Sequence, residues 1–518
     1  MYYMKLLAFI VYFAVVLAIG IVFFLRQRSG GEKEYFLGGR SMGPWVTAMS
    51  AQASDMSGWL LMGFPGSILA FGMGKVWIGI GLAIGTAANW IIVARRLRRF
   101  SAAANDSITL PQYLTNRFAT ANPVLKIVCA IIFLISFTVY VASAFNAGTN
   151  VFVAVLPVLQ GKEEIAMMIF AVIILVYTFM GGYKAVCWTD FFQGLLMLVA
   201  LLAVPIVMYT TGVFDPSYKD AFADGVTAFG ANPFTASWQD IVSGLAWGLG
   251  YFGMPHILVR FMSIKNSKMI KKASTVAIVW VVLTLGAAIV IAILARSYIL
   301  SDGTALAGKL LPAGSQANIF IETVLDIFPA FIAGLMLAAI IAASMSTADS
   351  QLLVASSSFT SDLYNPLIRK NKASEKETLW VGRIVVVIIA LIAFAIAYSG
   401  LGKTDSWASN IMAMVENAWG LFGASFGPVI IFSLFWKRLN YAGAVAGIIG
   451  GAVMDIAWLV LFTSTVTDAV VYNTGVYEIL PGFVVGAIVT VVVTLMTKAP
   501  SAEVCAIYDR ALDTSIDD

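Results

Sequence analysis

Long apolar segments follow one another along nearly the whole chain, and charged residues are concentrated in the short stretches between them. A helix needs about 20 apolar residues to cross the hydrocarbon core of a bilayer. The pattern therefore predicts an all-α polytopic membrane protein with about thirteen spans. Their approximate limits are 5–25, 45–72, 76–94, 127–156, 164–181, 189–212, 239–258, 273–295, 318–349, 379–398, 407–435, 441–463 and 478–497.

Composition supports this class, because 60% of the 518 residues are hydrophobic and only 12% are charged. Soluble domains carry roughly twice that charge, so a water-soluble enzyme, a disordered chain and a nucleic-acid-binding protein are excluded. Cys129, Cys187 and Cys505 lack the spacing of a metal site, and we expect them to be reduced. The sequence has no G-x-x-x-x-G-K-[ST] motif for binding ATP, so any active transport would have to draw on an ion gradient.

Lys and Arg predict the orientation, because they are enriched in cytoplasmic segments. With the N-terminus outside and the C-terminus inside, 25 of the 32 basic residues fall in cytoplasmic segments. We expect residues 1–518 to form a single transmembrane domain with a cytoplasmic tail at 498–518.

The second span carries polar and helix-breaking residues at membrane depth, among them Asp55, Ser57 and Gly58. An ionised Asp at the centre of an inserted helix costs about 2.5–3.5 kcal/mol. One interpretation is a small-residue packing face with a neutral, hydrogen-bonded Asp55. We favour the other, a functional site, because acids inside a membrane are usually functional.

The seventh span combines several glycines with Pro255, a composition that favours a partly unwound helix. Trp247 and Tyr251 lie four residues apart and share a helix face. That face is equally compatible with a binding pocket and with an interfacial aromatic belt or ordinary core packing.

The second interrupted span comes five spans after the first, a spacing typical of an inverted-repeat transporter whose site lies at the bilayer midplane. The repeats would cover 45–212 and 239–435. The first helix, 1–25, and two helices within 441–497 would be peripheral.

In the ninth span, Ala343, Ser346 and Thr347 share one helical face. Their carbonyl and hydroxyl oxygens suit a hard cation, although Ser and Thr hydroxyls also commonly bond back to their own helix. The neighbouring interrupted span would offer further free carbonyl oxygens and so favours the cation site.

Six motifs are shared with a known family. They are YFLGGRSMGP (35–44), ASDMSGWLLMG (53–63), TLPQYLTNRF (109–118), GGYKAVCWTDFFQ (181–193), WGLGYFGMPHIL (247–258) and MSTADSQLLVASS (345–357). The chain resembles the sodium:solute symporter family, and most closely its sodium/proline symporters. The resemblance implies a LeuT-type fold with five-plus-five inverted repeats.

The resemblance also implies roles for individual residues. It assigns Na⁺ ligation to Ala53, Met56, Ala343, Ser346 and Thr347, with Asp55 supporting the site. It assigns substrate contacts to Ser57, Gly58, Tyr140, Trp247, Tyr251 and Pro255. Asp190 would lie on the inward sodium path or, alternatively, cap a cytoplasmic helix. Met254 departs from the Gln usual in the proline branch.

We therefore expect Na⁺-coupled import of L-proline by alternating access, in a bacterial plasma membrane and without an obligate protein partner. Three alternatives stay open at this point. Asp55 could carry protons in place of sodium coupling, the chain could be a sensor or channel, or the cargo could be another amino acid, pantothenate or a sugar.

Overall fold

The computed structural model describes residues 2–26, 31–180, 182–210, 232–301, 305–310, 312, 314–403, 406–463 and 472–513. Within these ranges the regular structure is helical, apart from one isolated bridge between Met42 and Ile264. The all-helical prediction is therefore confirmed.

Residues up to 210 form nine of the described helices, together with short 3₁₀ turns at Gly38–Arg40 and Pro157–Leu159. The helices are α1 (Tyr2–Arg26), α2 (Glu32–Leu37), α3 (Pro44–Asp55), α4 (Trp59–Phe71), α5 (Met73–Ala103), α6 (Leu110–Arg117), α7 (Val124–Val155), α8 (Glu163–Met180) and α9 (Tyr183–Thr210).

The later residues form a second series, in which α15 continues in wider π-helical turns to Ile368. The helices are α10 (Trp238–Phe252), α11 (Pro255–Ser263), α12 (Ile270–Ser301), α13 (Ala305–Leu310), α14 (Ile319–Ile327), α15 (Ala330–Ser357), α16 (Glu375–Gly400), α17 (Ile411–Phe435), α18 (Tyr441–Phe462), α19 (Ile479–Met496) and α20 (Ala502–Leu512).

Several helices begin where the sequence supplies a cap. The Asn410 side chain accepts a hydrogen bond from the Ala413 amide (3.1 Å) at the start of α17. Asn440 accepts one from the Gly443 amide (2.9 Å) at the start of α18. These side chains satisfy amides that have no partner within their own helix.

In the described part of the chain, ten helices are long and apolar enough to cross a membrane, and joining α10 to α11, which are bent by 44°, gives eleven. Each of the thirteen predicted spans overlaps a helix, and the second corresponds to α3 and α4 together. The chain is a multi-pass membrane protein. The exact number of crossings and the orientation of the termini stay predictions.

Burial distinguishes the inner helices from the outer ones. In the apolar stretches of α15 and α17, 78% and 83% of the residues are buried. The corresponding share is 28% for α1, α18 and α19. Large apolar side chains such as Ile84, Ile392 and Leu495 are exposed on the outside of the bundle, as lipid contact requires.

The backbones of α5 and α10 touch at four glycines. A Cβ atom at Gly81 would collide with the Gly244 carbonyl, and one at Gly85 would collide with the backbone of Gly248. Only glycine allows this approach, so the third predicted span is held directly against the interrupted seventh.

At the predicted cytoplasmic end, Arg40 holds separate segments of the chain together. It adopts a left-handed φ of 53°. Its guanidinium donates to the carbonyls of Met262 (2.5 Å) and Ser107 (2.8 Å) and to the Asp106 carboxylate (2.6 Å). Partial burial favours the neutral form of Asp106, but Lys33 and Arg40 outweigh it and lower the pKa of this carboxyl. The ion pairs thus favour a charged Asp106 in the folded protein.

Candidate ion and substrate site

The break in the second predicted span lies between Asp55, the last residue of α3, and Trp59, the first of α4. Met56 adopts φ −84° and ψ 78°, outside the helical region. The Asp55 carbonyl accepts from the Ser57 amide (3.0 Å), the Trp59 indole (3.3 Å) and the Tyr140 hydroxyl (3.3 Å). The predicted interruption is present at the predicted residues.

The seventh predicted span is also interrupted. Residues Trp247–Phe252 form a 3₁₀ segment, Met254 is extended, and α11 begins at Pro255. The Met254 side chain is buried. Proline fits the first turn of a helix because its missing N–H has no partner there.

One hydrogen bond joins the two breaks. The Tyr251 hydroxyl donates to the Asp55 carboxylate at 2.6 Å, and both side chains are buried. The second Asp55 oxygen has no hydrogen-bond partner among the described residues, and none of the ion pairs found there involves Asp55. A buried carboxylate without a paired cation can attract a cation that binds beside it.

Three of the five predicted sodium ligands meet at one hydroxyl. The Ser346 hydroxyl lies 2.8 Å from the Ala53 carbonyl oxygen and 3.1 Å from that of Ala343. The hydroxyl of Thr347 is buried without a hydrogen-bond partner in the described residues, and Met56 is also buried. The back-bonding alternative thus fits Ser346 in part and does not fit Thr347.

Aromatic rings surround the predicted substrate residues. The Trp247 ring lies 6.3 Å from that of Trp59 and 6.5 Å from that of Trp419, whose indole donates to the Trp247 carbonyl (2.8 Å). Tyr251 packs edge-on to Trp419 at 5.0 Å. Trp59 and Trp419 were not identified from sequence, because an apolar aromatic in a span resembles a core or lipid-facing residue.

Small residues let the break pack closely. A Cβ atom at Gly58 would lie 2.6 Å from the Ala147 Cβ and 3.1 Å from the Ser344 hydroxyl. The neighbouring Ser57 hydroxyl accepts a long hydrogen bond from the Trp59 amide (3.5 Å). Gly58 therefore brings the break against α7 and α15.

Asp190 lies inside α9, seven residues after its start, so the helix-cap alternative is wrong. Its carboxylate accepts from the Ser50 hydroxyl (2.7 Å) and pairs with the Arg260 guanidinium (3.2 Å). Arg260 also donates to the Ser350 hydroxyl (2.5 Å). This cluster joins α3, α9, α11 and α15.

Arg260 and Asp349 are further buried ionisable residues for which the sequence interpretation assigns no role. Arg260 lies just beyond the predicted end of the seventh span at residue 258, in a segment that the predicted orientation places in the cytoplasm, but only 1% of its surface is exposed. Both carboxylate oxygens of Asp349 are buried without a hydrogen-bond partner among the described residues. The sequence signal for Asp349 is the presence of an acidic residue only two positions after the predicted ion ligand Thr347.

Comparison with known proteins decides the family. The profile of the sodium:solute symporter family matches residues 35–451. The chain belongs to this family. It is therefore a sodium-coupled transporter and not an enzyme, and Na⁺ is its coupling ion.

The sodium:solute symporter chain is 41% identical to the sodium/proline symporters of Staphylococcus aureus strains JH9 and NCTC 8325, over 95% of its own length and 92% of theirs. Its fold is similar to that of a Na⁺-coupled sialic acid symporter (TM-score 0.75, 20% identity, covering 96% of this chain and 99% of that one). It also resembles MhsT in complex with L-phenylalanine (TM-score 0.51, 15% identity, 87% and 97% covered). These neighbours support the LeuT-like architecture.

Proposed function

We propose that this symporter imports L-proline with Na⁺ by alternating access. The observation that carries the proposal is the Ser346 hydroxyl of α15, which lies between the Ala53 carbonyl at the end of α3 and the Ala343 carbonyl. Proline as the cargo is supported by the 41% identical relatives named sodium/proline symporters.

The proposed ion site consists of the carbonyls of Ala53, Met56 and Ala343 and the hydroxyls of Ser346 and Thr347. Neutral oxygen ligands suit a hard monovalent cation. Asp55 would add negative charge beside the site, and Tyr251 would hold that carboxylate in position through its 2.6 Å hydrogen bond. Asp190 would lie on the inward ion path.

The proposed substrate pocket is lined by Ser57, Gly58, Tyr140, Trp247, Tyr251 and Pro255. Proline joins an apolar ring to a zwitterion. Trp247 and Tyr251 would cover the ring, while amides at a half-helix end would bind the carboxylate.

The Tyr251–Asp55 contact suggests how the two ligands are coupled. Na⁺ binding would hold α3 against α15, and the same Asp55 orients a residue of the substrate pocket. Each ligand would then raise the affinity for the other, as linkage requires. One Na⁺ that crosses a membrane potential of about 100 mV supplies about 2.3 kcal/mol. A tenfold Na⁺ concentration gradient adds about 1.4 kcal/mol. One ion per proline therefore supplies enough free energy to concentrate proline inside the cell.

The finer topology belongs to the same proposal. We place the N-terminus outside and the C-terminus inside, with repeats at 45–212 and 239–435, in a bacterial plasma membrane. The distribution of Lys and Arg and the two breaks five spans apart support this arrangement.

The test is uptake of radiolabelled L-proline into proteoliposomes under an inward Na⁺ gradient and under an equal K⁺ gradient. We expect uptake with Na⁺ only, and its loss in Ser346→Ala and in Thr347→Ala. Ser356→Ala is the matched control, because this buried hydroxyl of α15 bonds back to the Leu353 carbonyl (3.2 Å). Uptake with K⁺, or driven by a pH gradient alone, would contradict sodium coupling.

Absence of proline uptake under a Na⁺ gradient would contradict the cargo assignment while leaving the ion site in place. The buried Met254 would then be the first residue to examine, with a panel of other small amino acids and carboxylates as substrates.

A further inference from the structure

A tyrosine outside both proposed repeats packs against the proposed substrate pocket. Tyr477 belongs to a short non-helical segment, residues 474–478, which we call the outer segment. This segment leads into α19. The ring centroid of Tyr477 lies 5.2 Å from that of Trp247. The rings of Trp59 and Trp419 lie farther from Trp247, at 6.3 Å and 6.5 Å. Only 4% of the Tyr477 surface is exposed.

Polar contacts hold the outer segment between the first half of the interrupted seventh span and α17. The Tyr477 amide donates to the Ser243 hydroxyl of α10 (3.0 Å). The Tyr477 hydroxyl donates to the Glu416 carbonyl of α17 (2.7 Å). These two bonds tie one residue to two separate helices.

The next residue adds a third attachment. The Glu478 carboxylate accepts a hydrogen bond from the Asn417 side chain (2.7 Å), and the Asn417 oxygen accepts one from the Trp407 indole (2.7 Å). Beside them, a Cβ atom on Gly420 would lie 3.2 Å from an Asp455 carboxylate oxygen and 3.4 Å from the ring of Tyr477. Gly420 thus leaves room for Tyr477 against α17.

Substrate access requires some element around this pocket to move. Trp247 and Tyr251 are 2% and 1% exposed, so their rings are closed off from solvent. Because the outer segment bonds to both α10 and α17, any separation of these helices on that side breaks its attachments. Breaking a few side-chain hydrogen bonds costs little compared with unwinding a helix.

We propose that Tyr477 forms the outer wall of the substrate pocket and covers the bound amino acid through its contact with Trp247. This inference rests on the proposed function, and it gives the outer segment a part in substrate recognition. In the proposed orientation this segment lies on the extracellular side, so Tyr477 would shield the pocket from the outside solution.

The test is the accessibility of a cysteine at this position. Tyr477→Cys is made in a chain whose three native cysteines are replaced by Ser, and a membrane-impermeant maleimide is added outside right-side-out vesicles. We expect labelling in Na⁺ without proline, and labelling at least about tenfold slower with saturating proline, the factor that corresponds to about 1.4 kcal/mol of closure.

Tyr472→Cys is the matched control on the same connection, because Tyr472 is 69% exposed. Its labelling should be equal in all conditions. Equal labelling of Tyr477→Cys with and without proline would overturn the inference, and so would complete protection in every condition. Proline uptake by the cysteine-free chain is measured first. A failure of the proline assignment is then distinguished from a failure of the role proposed for Tyr477.

A second pair of variants separates a pocket role from a structural one. Tyr477→Ala should raise the half-saturating proline concentration about two- to tenfold, because it removes the aromatic ring that lies against Trp247. Tyr477→Phe keeps the ring and should stay close to the parent protein. If Tyr477→Ala lowers only the amount of folded protein and leaves half-saturation unchanged, the wall assignment is contradicted.

Discussion

At the scale of single residues, two buried carboxylates have different surroundings. Asp55 receives one hydrogen bond, from Tyr251, and takes part in no described ion pair. Asp190 forms an ion pair with Arg260 and also accepts a hydrogen bond from the Ser50 hydroxyl. We infer that Asp55 is available to a transported cation, whereas Asp190 mainly joins helices in this conformation.

Tyr251→Phe should weaken sodium activation of transport. The change leaves both Asp55 oxygens without a partner, and a hydrogen bond to a charged group contributes about 1.5–3 kcal/mol. We expect the Na⁺ concentration for half-maximal proline uptake to rise at least about tenfold. An unchanged Na⁺ dependence would show that this hydrogen bond does not support the ion site.

Arg260→Leu should destabilise the protein strongly. It leaves Asp190 buried without its cation, and breaking a buried pair costs about 3–5 kcal/mol. Thermal unfolding in detergent measures the effect. The double variant Arg260→Leu with Asp190→Asn should recover part of the loss, and a double variant no more stable than the single one would argue against the pair.

At the scale of elements, the interruption of the second span depends on close packing at its break. Asp55 ends α3, and Gly58 places the backbone against α7 and α15. Because α15 supplies Ala343 and Ser346, the position of the break determines the distances between the proposed ion ligands.

Gly58→Ala should be destabilising, because the added methyl would lie 2.6 Å from the Ala147 Cβ. Overpacking of this kind costs about 1–3 kcal/mol. Gly63→Ala in α4 is the control, since its methyl would meet only ordinary contacts at 3.5 Å. Unfolding temperatures of the two variants should differ clearly, and equal values would contradict the packing argument.

At the scale of the whole molecule, hydropathy was sufficient to locate the helices, because lipid and core both require apolar residues. It was less informative about boundaries. The predicted sixth span begins at residue 189, but α9 begins at Tyr183. Lys184 and its neighbours indicated a loop, whereas in the structure Lys184 forms an ion pair with Glu34.

The site could be predicted only in part, for a similar reason. Ser, Gly and Asp at membrane depth are unusual, so Asp55, Ser57 and Gly58 were recognisable. Trp419 and Tyr477 are ordinary residues for a membrane protein, and only the packing of distant helices brings them to Trp247.

The orientation of the whole chain can be tested with a native cysteine. Cys129 and Cys187 are buried, whereas Cys505 on α20 is partly accessible. With the C-terminus inside, an impermeant maleimide should leave Cys505 unlabelled in intact cells and label it after permeabilisation. Labelling in intact cells would reverse the orientation.

The glycine contacts between α5 and α10 affect how a mutational scan of this protein should be interpreted. Gly81, Gly85, Gly244 and Gly248 have no space for even a methyl group, so every substitution there should reduce the amount of transporter at the cell surface. In a map of tolerated mutations they would form a sensitive stripe beside the pocket. The sensitivity of this stripe would reflect the close approach of two backbones and not contact with the cargo. Measuring surface abundance would distinguish the two, because substitutions at the glycines should lower the amount of transporter at the surface.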